Sequence, residues 1–191
     1  MHKIILASQS PRRKQLMEMA EFEFEVVVAD VDESEHGGVA QEKVPEYLAA
    51  KKARVISSGN PEAIVIAADT IVFIDGLILG KPVDFDDAVA ILNRLSGRKH
   101  EVISGVCICH KGVEKTFSVV TSVFFRHLTE SQIRHYIDRY KPYDKAGAYA
   151  IQEWIGVTGI ERIDGDYYNV MGLPIGDVIK VLKDEFGISN W

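Results

Sequence analysis

Residues 63–79, which read AIVIAADTIVFIDGLIL, decide the fold class. The run from Ala63 to Ala68 is apolar and rich in β-branched residues, which predicts a buried strand that stops at Asp69 and Thr70. Good helix formers fill residues 45–56 just before it, so the chain passes from a helix into a strand. Such connections are typical of parallel strand pairs.

The second half of the same stretch predicts the opposite pairing. Residues 71–74 and 77–79 are apolar and flank Asp75-Gly76, which is a strong hairpin signal. A two-residue turn can only join antiparallel neighbours. The two halves together therefore predict an α/β fold whose twisted β-sheet is mixed and carries flanking helices.

The rest of the chain continues this pattern. Serine, aspartate and threonine caps predict further helices at residues 11–19, 84–95 and 129–139. A last helix, at residues 175–186, is predicted after Gly172-Leu173-Pro174, with Gly187 behind it. Apolar or alternating runs predict the other strands, at residues 3–7, 22–28, 100–110 and 116–127. Residues 163–168 read as a turn followed by an aromatic strand, and residues 30–38 as an acidic loop.

Composition bounds the function. The 191 residues are 47% hydrophobic and 26% charged, which predicts one globular domain over residues 1–191 and excludes disorder and coiled coil. A net charge of −6 makes polymeric nucleic acid and acidic membranes poor partners. No apolar run approaches the roughly 20 residues of a membrane span, so we expect a cytoplasmic protein. Cys107 and Cys109, the only cysteines, are expected to be buried and reduced.

The first candidate for chemistry is residues 8–14, SQSPRRK, at the start of a predicted helix. Cations in a first helical turn repel the positive end of the helix dipole, and a bound phosphate would remove that conflict. Ser8, Arg12 and Arg13 would then converge on one anion. The alternative is a solvated basic turn in which serine only caps the helix.

The second candidate is Asp69, an acid that ends an apolar strand. By itself it fits a turn aspartate equally well. Glu33, Lys52 and Lys81 add the carboxylate and cations that suit a metal-bound phosphate substrate, and hard oxygen ligands favour Mg²⁺ or Mn²⁺. The third candidate, residues 144–152 (DKAGAYAIQ), is rich in small residues, and alone it indicates only tight packing.

Read together, these segments resemble the Maf nucleotide pyrophosphatases in order and spacing. The resemblance rests on six motifs spread over nearly the whole chain, which read LASQSPRR at 6–13, ADT at 68–70, GKP at 80–82, LSG at 95–97, DKAGAY with IQ at 144–152, and GLP at 172–174. Ala150 departs from the pattern, because glycine is common there.

The resemblance implies two lobes around a central cleft, of the Maf and ITPase kind, and hydrolysis of a nucleoside triphosphate to monophosphate and pyrophosphate. It implies that Asp69 is the proton acceptor and that Glu33 and Asp69 hold a divalent metal. A homodimer is also implied. The phosphate-contacting positions would be Ser8, Arg12, Arg13, Lys52 and Lys81.

Substrate choice is implied by three further positions. The branch of the family that acts on dTTP and UTP carries the equivalents of Arg12, Thr70 and Gln152, and all three are present here. A second reading stays open, in which the protein is a non-catalytic nucleotide-binding regulator of cell division, because family members have been connected with septum formation. Turnover distinguishes the two.

Overall fold

The structure is a computed structural model that describes residues 3–34 and 37–188. Seven strands and seven α-helices, besides three short 3₁₀ turns, are assigned within these ranges. The strands are β1 (Ile4–Leu6), β2 (Glu25–Val26), β3 (Ile64–Ile74), β4 (Leu77–Leu79), β5 (Lys99–His110), β6 (Val113–Phe125) and β7 (Ile160–Asp164). The α-helices are α1 (Pro11–Met19), α2 (Val44–Gly59), α3 (Phe85–Leu95), α4 (Glu130–Tyr140), α5 (Trp154–Gly159), α6 (Tyr167–Met171) and α7 (Ile175–Phe186).

All seven strands belong to one mixed sheet, which confirms the predicted fold class. The order is β2-β1-β3-β5-β6-β7, and β4 pairs with β3. Strand β1 runs parallel to both β2 and β3, whereas β3 with β4 and β6 with β7 are antiparallel. The β3–β4 turn is the predicted Asp75-Gly76, and both residues have positive φ (52° and 77°), as this hairpin turn requires.

The chain divides into two compact units, each with its own core. Unit 1 comprises Met1–Thr70, Ser104–Val119 and Gly172–Trp191, and unit 2 comprises Ile71–Ile103 and Val120–Met171. One apolar cluster of unit 1 gathers small residues of α2 with Val65 of β3 and the two cysteines of β5. The cluster of unit 2 gathers leucines of α3, Ile133 and Ile137 of α4, and Tyr149. The single domain and the central cleft stay predictions.

Helix starts follow their predicted caps closely. Ser10 caps α1, Asp84 caps α3 through the amide of Asp87, and Thr129 with Gln132 forms a capping box on α4.

Three predictions are wrong. Residues 69–70 do not end a strand, because β3 continues without a break from Ile64 to Ile74. The second strand has only two residues, Glu25–Val26, instead of spanning 22–28. The segment after Gly165 is predicted to be an aromatic strand but forms helix α6. The chain turns at Gly165, whose φ is 127°, and becomes helical from Tyr167.

Candidate active site

Two predicted site residues of unit 1, Glu33 and Asp69, contact the ammonium group of a third, Lys52. Its Nζ lies 2.7 Å from Asp69 Oδ1 and 2.8 Å from Glu33 Oε1. The Lys52 and Asp69 side chains are only 10% and 15% exposed, whereas that of Glu33 is 56% exposed. Buried charges are stable when they are paired, so the carboxylates account for a buried lysine. One cation thus holds two carboxylates toward a common point.

Each of these side chains is held by a separate element. Lys52 lies on α2 beside the buried residues Ala53 and Ala49, and Asp69 lies within β3. Glu33 lies in the loop after β2. Strand β3 can therefore continue past the charged residue Asp69, because Lys52 of α2 pairs with its carboxylate.

The loop that carries Glu33 is fixed on both sides of that residue. Asp32 Oδ1 accepts hydrogen bonds from the Ser34 amide at 2.8 Å and from the Ser34 hydroxyl at 2.6 Å. Lys51 Nζ donates to the Asp32 carbonyl at 2.9 Å. Adjacent lysines of α2, Lys51 and Lys52, thus hold consecutive residues of the loop.

Arg13 is the centre of a second network in unit 1. Its Nε donates to the Gly172 carbonyl at 2.8 Å and its Nη2 to Thr70 Oγ1 at 3.1 Å. Its Nη1 donates to the Ala68 carbonyl at 2.8 Å and to Ser8 Oγ at 3.2 Å. A guanidinium has five N–H donors, so these four bonds leave little for bidentate phosphate binding. For Arg13, the alternative of a solvated basic turn is wrong.

The electrostatics of Arg13 connect the two networks. Burial lowers the pKa of the Arg13 guanidinium, and the negative charge of Asp69 opposes that shift. The side chain remains charged, because an arginine is effectively always protonated in proteins.

Ser104 completes this network, and the sequence analysis missed it. The hydroxyls of Thr70 and Ser104 are 2.8 Å apart, and Thr70 also donates to the Gly172 carbonyl at 3.1 Å. Ser104 is fully buried on β5. A single serine between apolar residues carries no local signal for such a role, because its partner lies 34 positions away in the chain.

The N-terminus of α1 keeps the features that suggested an anion site. Pro11 opens the helix, the Ser10 hydroxyl accepts from the Arg13 amide at 3.5 Å, and the first turn contains no acidic residue. Ser8 is 9% exposed and accepts from the Ser10 amide at 3.2 Å. Arg12 is half-buried.

The structure places the predicted site residues in both units. Those of unit 1 are Ser8, Arg12, Arg13, Glu33, Lys52, Asp69 and Thr70. Lys81 and Gln152 are exposed and belong to unit 2.

The segment before Gln152 is tightly built, as its small residues suggested. The Gly147 amide donates to the Gly80 carbonyl at 3.0 Å, next to Lys81. A Cβ on Gly147 would lie 2.7 Å from a methyl group of Val72, and its φ is +69°. Only glycine fits both conditions.

Buried polar groups anchor the other side of Gln152. Lys145 Nζ lies 3.5 Å from Glu153 Oε1, and Lys145 is 8% exposed. The Tyr136 hydroxyl donates to Glu153 Oε2 and accepts from the Ala150 amide at 3.2 Å. Hydrogen bonds and ion pairs therefore fix the chain on both sides of Gln152, while Gln152 itself is exposed to solvent.

The comparisons with known proteins assign the family. The family model described as Maf-like protein matches residues 3–185, so the chain belongs to the Maf-like family. A protein of Porphyromonas gingivalis named dTTP/UTP pyrophosphatase is 48% identical over 99% of this chain and 96% of its own length. Proteins of the same name from Bacteroides fragilis (47%, covering 95% of each chain) and Cytophaga hutchinsonii (45%, covering 96% of this chain and 84% of the other) are also similar.

Two solved structures are also similar to part of this chain. The Staphylococcus aureus Ham1 protein is 16% identical, with a TM-score of 0.47 over 64% of this chain and 71% of the other. A HAM1 protein from Coxiella burnetii is 15% identical, with a TM-score of 0.48 over 65% and 73%. Within residues 3–34 and 37–188, none of the helices has the length and apolar character to cross a membrane.

Proposed function

We propose that this protein hydrolyses dTTP and UTP to the nucleoside monophosphate and pyrophosphate. The observation that carries the proposal is the convergence of Asp69 and Glu33 on Lys52. Full-length relatives named dTTP/UTP pyrophosphatase support the substrate class. The proposal includes a cytoplasmic location, a divalent metal and a homodimer.

Asp69 takes the role of proton acceptor. Its carboxylate orients a water molecule toward the α-phosphorus and accepts a proton as the new P–O bond forms. The bond from the α-phosphorus to the bridging oxygen breaks, and pyrophosphate leaves. Lys52 keeps the carboxylate in one rotamer through the 2.7 Å contact, which is the kind of positioning that phosphoryl transfer needs.

The carboxylate pair fits a magnesium or manganese ion. One oxygen of each carboxylate already lies within 2.8 Å of a single cationic atom, Lys52 Nζ. Mg²⁺ prefers hard oxygen ligands and is usually bound by one or two carboxylates together with substrate phosphates. When bound, such an ion would polarise the phosphate and offset its negative charge.

The cations divide into two roles. Arg12, Lys52 and Lys81, with the Ser8 hydroxyl, are proposed to bind the phosphates. Arg13 is proposed to position Ser8 and Thr70, because four of its hydrogen bonds already end within the protein.

Base selection is proposed for Gln152. An exposed amide offers both a donor and an acceptor to a pyrimidine edge, whereas a glutamate offers only acceptors. Replacing Gln152 by Glu should lower kcat/KM for UTP by about tenfold, because the amide donor is lost and two acceptors then face each other. Unchanged UTP kinetics in that variant would exclude base reading by Gln152.

The decisive experiment is product analysis. Purified protein is incubated with dTTP, UTP and other nucleoside triphosphates in the presence of Mg²⁺ or Mn²⁺, and pyrophosphate is separated from orthophosphate. Pyrophosphate with dTMP or UMP supports the proposal. Orthophosphate as the product contradicts it, and saturable binding without turnover would favour the regulator.

Asp69→Asn provides the matched test of mechanism. This substitution keeps the size of the side chain but removes the base, so kcat should fall by about 10²-fold or more while nucleotide binding persists. Asp138→Asn, an exposed change on α4, is the control and should retain activity. Wild-type turnover in Asp69→Asn would rule out this role for Asp69.

A further inference from the structure

Cys107 and Cys109 form a close pair of free thiols that shares no residue with the carboxylate–lysine cluster. Both lie on β5, both are buried, and their Sγ atoms are 3.7 Å apart. Alternate residues of a strand are separated by about 6.7 Å along the chain. The two side chains therefore lean toward each other.

Glu114 of β6 brings a carboxylate to the same place. One ligand atom from each of Cys107, Cys109 and Glu114 lies within 4.8 Å of the other two. Arg54 of α2 binds this carboxylate at both oxygens, with distances of 2.7 Å from Nε and 2.7 Å from Nη2. That contact lowers the pKa of Glu114 and keeps it ionised.

The spacing of the sulfur atoms matches a tetrahedral zinc site. With Zn–S bonds of about 2.3 Å and a tetrahedral angle, two thiolates on one zinc ion lie about 3.8 Å apart. The observed separation is 3.7 Å. Two sulfur ligands select zinc and similar soft ions over magnesium or calcium.

We propose that Cys107, Cys109 and Glu114 bind one zinc ion, with water as the fourth ligand. The site is separate from the proposed catalytic centre, whose donors are oxygens. It would join β5 to the first residues of β6 across the turn at Lys111-Gly112.

Charge balance supports the site. Two thiolates and a carboxylate carry three negative charges, zinc offsets two of them, and Arg54 offsets the third. Both thiol protons leave when the metal binds, so affinity rises with pH.

Cobalt provides the direct test, because a thiolate bound to Co²⁺ gives a sulfur-to-metal charge-transfer band that oxygen ligands do not. Full-length, reduced, chelator-treated protein is titrated with Co²⁺. We expect one equivalent of Co²⁺ to produce this band together with tetrahedral visible absorption, and Zn²⁺ to abolish both. Absence of the band with the thiols reduced overturns the proposal.

Variants connect the signal to these residues. Cys109→Ser should remove the band, and Glu114→Gln should weaken cobalt binding by at least about tenfold, since even the loss of a group that only orients a ligand costs that much. Glu62→Gln, which changes an exposed carboxylate outside the site, is the control and should leave both the band and the affinity for cobalt unchanged. A band that survives in folded Cys109→Ser, confirmed by circular dichroism, overturns the assignment.

The same titration on Asp69→Asn separates this site from the proposed function. The band should persist at one equivalent even though turnover is lost. If the band disappears in folded Asp69→Asn, metal binding by the thiols depends on Asp69, and a zinc site separate from the catalytic centre is refuted without affecting the catalytic proposal.

Discussion

The buried side chain of His100 should make the protein less stable in mild acid. The side chain is 2% exposed in unit 2, and Nε2 lies 2.7 Å from the hydroxyl of Tyr149. Its Nδ1 has no hydrogen-bond partner among the residues that the structure describes. Phe125 and Tyr149 pack edge-on against the ring. Burial in these surroundings lowers the pKa of His100 from 6.5 to about 3.

The sign follows from proton uptake. Between these two pKa values the unfolded chain binds a proton at residue 100 and the folded chain does not, so the free energy of unfolding falls as the pH falls from 6.5 toward 3. Linkage gives a loss of about 2 kcal/mol between pH 7 and pH 5 from this residue alone. Above pH 7 the contribution of His100 no longer changes.

Urea denaturation at pH 7, 6 and 5 measures the effect. The control is His100→Gln, whose amide can accept from the Tyr149 hydroxyl but cannot titrate. The variant is expected to be less stable at pH 7 but to lose about 2 kcal/mol less on acidification than the wild type. Equal losses in the two proteins would refute a buried neutral His100, because all other titrating groups are shared.

Two further changes test the networks of unit 1. Replacing Thr70 by Val keeps the shape but leaves Arg13 and the Gly172 carbonyl without their hydroxyl partner, so the free energy of unfolding in urea should fall by about 2 to 3 kcal/mol. Thr70→Ser retains the hydroxyl and should stay within about 1 kcal/mol; an equal loss in both variants would mean that the hydroxyl is unimportant. A Cβ on Gly105 would lie 2.1 Å from the Glu46 amide nitrogen, so Gly105→Ala should lower the free energy of unfolding by about 2 kcal/mol or more, which is seen as a lower thermal midpoint. Gly176→Ala, where a Cβ meets nothing within 4 Å, should be neutral or stabilising by up to about 1 kcal/mol, and similar midpoints for the two variants would contradict the close approach.

Local chemistry made much of the fold predictable. Ser10, Asp84 and Thr129 act as helix caps through bonds to amides three residues away, so the signal and its partner occur together in the sequence. Asp75-Gly76 is equally local. These contacts need no knowledge of the rest of the chain.

The misplaced end of β3 and the missed Ser104 both concern residues whose partners are distant in the chain. Asp69 and Thr70 suggested the end of a strand, but Lys52 and Arg13 satisfy them and β3 continues. Ser104 escaped detection for the same reason. The sequence also could not divide the work of Arg12 and Arg13, because only the fold brings the Gly172 carbonyl to one of them.

The segmented make-up of unit 1 affects how the protein is made. Its three segments are separated in the chain by both segments of unit 2, and the last begins at Gly172. During synthesis at about 5–20 residues per second, Arg13 emerges long before its acceptor carbonyl does. The ribosome must therefore finish nearly the whole chain before the Nε of this guanidinium finds its acceptor. A chain terminated at Met171 would lack the third segment of unit 1 and the Gly172 carbonyl that Arg13 Nε binds, and we expect it to be a substrate for proteolysis rather than a smaller working protein.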